Sequence, residues 1–385
     1  MKTITPFRIN IDQAMLDDLL ARLTLTRWPD APADPDWSYG TDPDYLHALV
    51  QYWQDEYNWR ANETALNQLP QYKVNINGQE IHFIYAKGKG NQPKPLILTH
   101  GWPDSFYRFA KVVPMLSDPA AYGLNFEQSF DVIVPSLPGF GFSGHQALAA
   151  EKTADIWYQL MTDILGYQTF YAAGGDLGTA VTMALANKYP SAVKGLHLTD
   201  VGYPTGIEDE SSLSTSEKAF VQACLHWEFT EGGYNIVQST KPQTLGYALN
   251  DSPVGLASWM LEKFYTWSDN KGNIENSFTK DELLTHIMIY WVTQTINPSI
   301  HTYAENMRAL FAHTSNLTAP QRVAAPTAVA LFPKDTVLPP RDWAARRVNL
   351  QRFTTMEAGG HFAAFEQPVL WTTDVQEFFF SLKEK

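Results

Sequence analysis

The 385-residue chain has a single cysteine, Cys224. No intrachain disulfide framework can form, and the expected compartment is a reducing one, the cytoplasm. Basic residues are also scarce: 28 Lys and Arg stand against 41 Asp and Glu, a formal charge of −13. With no basic run to offset that balance, the chain presents no footprint for nucleic acid. No apolar run approaches the ~18 residues a membrane-crossing helix needs, so no membrane partner is expected. The opening Met1-Lys2-Thr3-Ile4-Thr5-Pro6 lacks the apolar stretch and cleavage site of a signal peptide, and none is expected. The histidines are scattered, His-Glu-x-x-His does not occur and Cys224 has no cysteine partner. Neither a metal nor a cofactor is expected. Charged residues make up only 18% against 44% hydrophobic, which is the balance of a globular protein with a large core.

Four segments are expected. Residues 1–94 read as an N-terminal meander. Asp12 caps a helix whose Met15, Leu16, Leu19, Leu20 and Leu23 recur at helical spacing. A stretch with Pro29, Pro32, Pro35 and Pro43 cannot be regular structure. Asp42-Pro43 then opens a second helix, and Asn77-Gly78 turns a hairpin between alternating Val74, Ile76 and Ile81, Phe83, Tyr85. Residues 95–200 and 318–385 alternate short apolar runs with helical segments, the pattern of a mostly parallel α/β sheet covered on both faces. The alternation breaks over 201–317, which is aromatic-rich and largely helical, a cap inserted over one end of the sheet. In that cap, Trp227, Phe229, Trp259, Phe264, Trp267 and Trp291 are expected to line an apolar cavity. Phe378-Phe379-Phe380 belongs to a terminal helix, where core packing is favoured over self-association.

Three segments carry chemistry. Gly174-Gly175-Asp176-Leu177-Gly178 follows a strand-like run and opens a helix through Val181, Leu185 and Tyr189. That is the setting of a nucleophile elbow with Asp in place of Ser, and an anion there gains from the helix N-terminus. Upstream, a strand ends at His100-Gly101-Trp102-Pro103-Asp104. The loop after this strand and the residue after the nucleophile supply oxyanion-hole amides in such folds, here Trp102 and Leu177. His100 reads as a brace for the loop rather than a catalytic group, and Trp102–Pro103 is a candidate cis bond. Near the C-terminus, Gly359-Gly360-His361 presents a base, and Asp335 after another strand supplies the acid that orients it, with Asp200 as second choice. The order Asp176, Asp335, His361 matches the nucleophile–acid–base order of the α/β-hydrolase fold.

His100-Gly101-Trp102-Pro103, Gly174-Gly175-Asp176 and Gly360-His361-Phe362-Ala363-Ala364-Phe365-Glu366 resemble the signature segments of microsomal-type epoxide hydrolases. So does 233–261, which contains Leu249-Asn250-Asp251-Ser252-Pro253, and Arg27-Trp28-Pro29 resembles that family's accessory segment. Two positions depart: Asp104 stands where Gly is usual, and Leu177 where an aromatic, typically Trp, often follows the nucleophile. The resemblance implies two donors to the epoxide oxygen, Tyr234 and Tyr303, a soluble member that detoxifies small apolar epoxides, and a possible homodimer.

The residue types suit that substrate. Serine attacking an sp3 carbon would form an ether that the site could not cleave, whereas Asp176 forms an ester that water can. Tyr234 and Tyr303 remain protonated and can donate to the ring oxygen. His361, held by Asp335, then activates water against the ester. Three other readings compete with this one. A haloalkane or haloacid dehalogenase would use the same nucleophile but lacks an indole donor at Leu177. A non-catalytic small-molecule binder on this fold would be expected to have lost a member of the set. Gly139-Phe140-Gly141-Phe142-Ser143-Gly144 fits a dinucleotide motif but opens no helix, and reads as a turn lining the pocket.

Overall fold

The computed structural model describes residues 3–383 except 35, 125, 207 and 313–320. Pro35 of the proline-rich stretch and the expected cap–core boundary at 317/318 therefore lie outside the described residues. One sheet organises the fold. Its strands are β1 (Thr5–Phe7), β2 (Gln71–Ile76), β3 (Gln79–Ala86), β4 (Lys94–Thr99), β5 (Phe130–Pro135), β6 (Phe170–Gly174), β7 (Val193–Leu198), β8 (Val323–Leu331) and β9 (Val348–Thr355). They lie in the order β1-β2-β3-β5-β4-β6-β7-β8-β9. Pairing is antiparallel from β1 through β3 to β5 and parallel from β5 to β9. Leu96, Ile97, Leu98, Val132, Ile133 and Val134 are fully buried, as continuous apolar runs in a doubly covered sheet should be. The N-terminal segment is not a separate layer, because β3 pairs with β5 and adds the hairpin to the same sheet.

The turn of that hairpin is the expected one, with Asn77 at φ 54° and Gly78 at φ 85°. Asp42 caps the helix Pro43–Asp55 by accepting from Tyr45 N–H. Asp12 occupies the N-cap of Gln13–Thr24, yet its side chain makes no capping bond. Between β7 and β8 the described residues form six α-helices, Thr215–Thr230, Gly233–Thr240, Pro242–Asp251, Pro253–Thr266, Lys280–Thr293 and Ile296–Ala312. One expectation for this region fails. Phe229 lines no cavity but is 92% exposed, because its helix buries Glu217, Phe220 and Cys224 along one stripe that residue 229 falls outside.

Register places the site. Thr99 pairs with Gly174, so the loops leaving β4 and β6 start side by side. Leu331 pairs with Thr355, and a bridge between Lys334 and Gly360 keeps the loops after β8 and β9 together. Strand order reverses at β4, and crevices at such switch points outside the carboxyl ends of strands are where open α/β sheets bind ligands.

Candidate active site

Asp176 ends the turn between β6 and the helix Leu177–Lys188, with φ 57° and ψ −129°. A non-glycine residue holds that left-handed conformation only when its surroundings enforce it. Here they do. Asp200 Oδ2 accepts the Asp176 N–H at 2.8 Å and the Thr179 hydroxyl at 2.6 Å, fixing the turn from outside. Two glycines allow the close approach: a Cβ on Gly178 would lie 2.1 Å from Thr99 O, and one on Gly101 2.3 Å from Asp176 Oδ1. The Trp102 amide donates to Asp176 Oδ1 at 2.8 Å. The amide of Leu177 opens the helix and has no intrahelical acceptor. The Trp102–Pro103 bond is cis. His100 is fully buried: one ring nitrogen faces Gly101 O, the other accepts Leu137 N–H, and burial pushes its pKa down to about 3. It braces the loop as a neutral ring.

His361 Nδ1 lies 2.7 Å from Asp335 Oδ1, and its Nε2 lies 3.7 Å from Asp176 Oδ2 with no hydrogen-bond partner among the described residues. Burial alone would lower the histidine's pKa, but the charges of Asp335 and Asp176 outweigh it and lift it to about 9. Burial likewise opposes ionisation of Asp335, yet His361 holds its carboxyl below the ordinary value. Asp200, the second-choice acid, makes no bond to His361; it holds the elbow, and burial raises it to about 6.

From the cap, Tyr234 stacks on Trp102 with centroids 5.3 Å apart, and Tyr303 meets both rings edge-on at 6.0 Å. The Tyr303 hydroxyl is buried without a hydrogen-bond partner among the described residues. Burial first, and for both phenols also the nearby Asp176 charge, hold Tyr234 and Tyr303 well above the ordinary phenol value.

Residues 4–109 match the family described as epoxide hydrolase N terminus, and residues 94–225 match the alpha/beta hydrolase fold family. Epoxide hydrolase 1 of Sus scrofa is 37% identical over 423 residues, covering 100% of this chain and 90% of that protein. The chain belongs to the epoxide hydrolase family. Solved structures agree. The juvenile hormone epoxide hydrolase of the silkworm Bombyx mori superposes with a TM-score of 0.88 at 29% identity, covering 99% of this chain and 95% of that one. An epoxide hydrolase of Aspergillus niger gives 0.84 at 29% identity, covering 99% and 97%. The α/β-hydrolase fold expected from motif order is thus the fold observed.

Both departures from the family pattern have structural counterparts. Asp104 is fully buried in an ion pair with Arg108. Arg108 also donates to the backbone carbonyl of His361, so this pair props the histidine from beneath. Leu177 lines a narrow void with Leu137, Leu148 and Val181. Leu148 also borders a groove of about 880 Å³ between the first helix and the cap, where Arg22, Tyr247, Trp291 and His301 lie. The glycine-rich stretch 139–144 is a turn, as expected: no helix begins before Ala150, and Pro138 beside it lines the narrow void.

Sequence reasoning missed the supports of this family member's histidine loop. Its N–H donates to Trp267 O at 2.7 Å. Asp269 Oδ2 accepts Gly359 N–H, and Glu366 accepts Gly360 and Phe362 N–H through one oxygen and Asp269 N–H through the other. Burial lifts Glu366 to about 7. The Glu366 position was visible in the motif; its role was not, because it bridges its own loop at Gly360 and Phe362 to Asp269 of the cap.

Proposed function

We propose that the protein hydrolyses a small apolar epoxide to a vicinal diol through a covalent ester on Asp176. The observation that carries this reading is the surroundings of one carboxylate: an amide on one oxygen, His361 facing the other, and two buried phenols within reach of its charge. In the first step an Asp176 oxygen attacks a ring carbon and the C–O bond breaks. Tyr234 and Tyr303 meet the charge developing on oxygen, and one phenol passes its proton to form the alcohol. Such bonds strengthen as charge builds, so they act on the transition state.

Ester formation removes the Asp176 charge that helps hold His361 near 9. The imidazole then loses its proton more readily and becomes the base for the second step, with Asp335 holding the opposite nitrogen. Water attacks the ester carbonyl, the Trp102 and Leu177 amides receive the oxyanion, and the protonated histidine returns its proton to the leaving diol. The acid left on Asp176 ionises and its proton restores the phenol, while His361 takes back from solvent the proton it released there once the ester formed, so nucleophile, phenol and histidine all return to their starting states.

In His361→Gln, mass spectrometry after mixing with an epoxide is expected to find the Asp176 peptide heavier by the mass of one substrate. A folded variant with no adduct would contradict the scheme. Halide release from haloalkanes would favour a dehalogenase, and ligand binding without turnover a receptor. On the same reading the division of labour follows the sequence, with 95–200 and 318–385 as catalytic core, 201–317 as cap and 1–94 as meander. A cytoplasmic detoxifying role fits the buried lone Cys224, and the homodimer implied by the family resemblance is open to sedimentation analysis. Among the described residues no helix is long and apolar enough to cross a membrane.

A further inference from the structure

Lys263 is buried, 5% exposed, in the cap helix Pro253–Thr266, an unusual place for an ammonium group. Its Nζ pairs with Glu262 and lies 4.8 Å from the centroid of the Tyr234 ring and 5.5 Å from that of Trp267. Trp267 in turn packs edge-on against His361 at 5.1 Å. The cation is therefore held against the face of one of the two phenols that the proposed function uses. Tyr234 needs it. The anions around that phenol, Asp176, Glu262 and Glu231, all oppose loss of its proton. A phenol so held is a weak donor to a departing oxygen.

We propose that Lys263 is a positioning residue that acts through Tyr234: its charge over the ring face offsets the surrounding carboxylates and strengthens the Tyr234 O–H bond to the epoxide oxygen as the ring opens. A cation over an aromatic face is attracted by the electron density of the ring, and the attraction grows when the ring gains negative charge. That gain occurs as proton density shifts from Tyr234 to the epoxide oxygen, in the alkylation step. Hydrolysis of the ester makes no such demand on the phenol, so Lys263 should bear on one half-reaction only.

The inference rests on the proposed ester mechanism, and rapid-quench mass spectrometry with styrene oxide separates the two. In Lys263→Met, formation of the Asp176 adduct is expected to slow on the order of tenfold, the scale of a desolvated cation–aromatic contact. Decay of the adduct once formed should change less than about twofold. Lys263→Arg, which keeps a cation, should recover most of the alkylation rate. In a Tyr234→Phe background the same Lys263→Met change should cost less than about twofold, since the proton it acts on is gone. Equal slowing of both half-reactions, or an equal cost in the Tyr234→Phe background, would overturn the inference and assign Lys263 to packing. Should Lys263→Met not fold, Lys263→Gln serves in the same comparisons. No adduct in the parent enzyme or in His361→Gln would instead overturn the ester mechanism itself.

Discussion

At the residue scale the proposed mechanism depends on a histidine, His361, that is held charged until Asp176 is alkylated. Its folded pKa of about 9 exceeds the ordinary 6.5, because two carboxylates outweigh burial. A raised folded value stabilises the protein fully below pH 6.5, and that stabilisation is lost as pH rises through about 9. The unfolding temperature is therefore expected to fall across this window, and calorimetry of His361→Gln should find that part of the fall missing. Arg108→Met leaves Asp104 buried without its cation and the His361 carbonyl without its donor. Denaturant unfolding should record a loss of about 3–5 kcal/mol, the cost of an orphaned buried charge. Asp176, Asp335 and His361 could be found in the sequence because each sits at a strand end beside turn residues. Arg108 could not, and Asp200 was found only as a second-choice acid rather than as the support of the elbow. Arg108 meets the His361 carbonyl across 253 positions, and Asp200 meets the Asp176 amide across 24 positions from the end of another strand.

At the scale of elements, the legible strands are apolar runs such as β4 and β5 and the alternating strands β2 and β3 around their Asn-Gly turn. β1 is not one of them, being three residues long with no buried residue. The helix Trp59–Leu66 is short and polar, and its pattern is carried by only three buried positions. The terminal helix Pro368–Ser381 tests the reading of its aromatic triplet. Phe378 and Phe379 are buried, and Phe380 stacks on Phe130 of β5 with centroids 4.8 Å apart. Phe379→Ala is expected to cost about 3–5 kcal/mol of stability, the usual range for emptying a buried aromatic site. Sedimentation behaviour should stay unchanged, whereas a triplet serving self-association would shift it with little effect on stability. The exposed Phe229 marks the limit of reading a cap by its aromatics: composition placed it in the cap, but only the phase of its helix decides which way it faces.

At the scale of the molecule, the cap and the sheet meet at the catalytic loop itself. Trp267 and Asp269, just after a cap helix, hold His361 and Gly359, and the Glu366 carboxylate bridges Asp269 to Gly360 and Phe362. His361 and the cap that carries Tyr234 are thereby one mechanical unit. Glu366→Ala is expected to raise hydrogen exchange at 267–270 and 359–362 together, and exchange rising in only one of them would contradict that coupling. The sequence supplied both ends of this latch but not their contact, which depends on how the inserted helices settle on the sheet. In the proposed mechanism all of it serves one event, the passage of substrate carbon onto Asp176. Single turnover in heavy-oxygen water, with enzyme in excess, tests that event most directly. The account predicts that the label enters the Asp176 carboxylate and that the diol of this first turnover carries none; label appearing directly in that diol would contradict it.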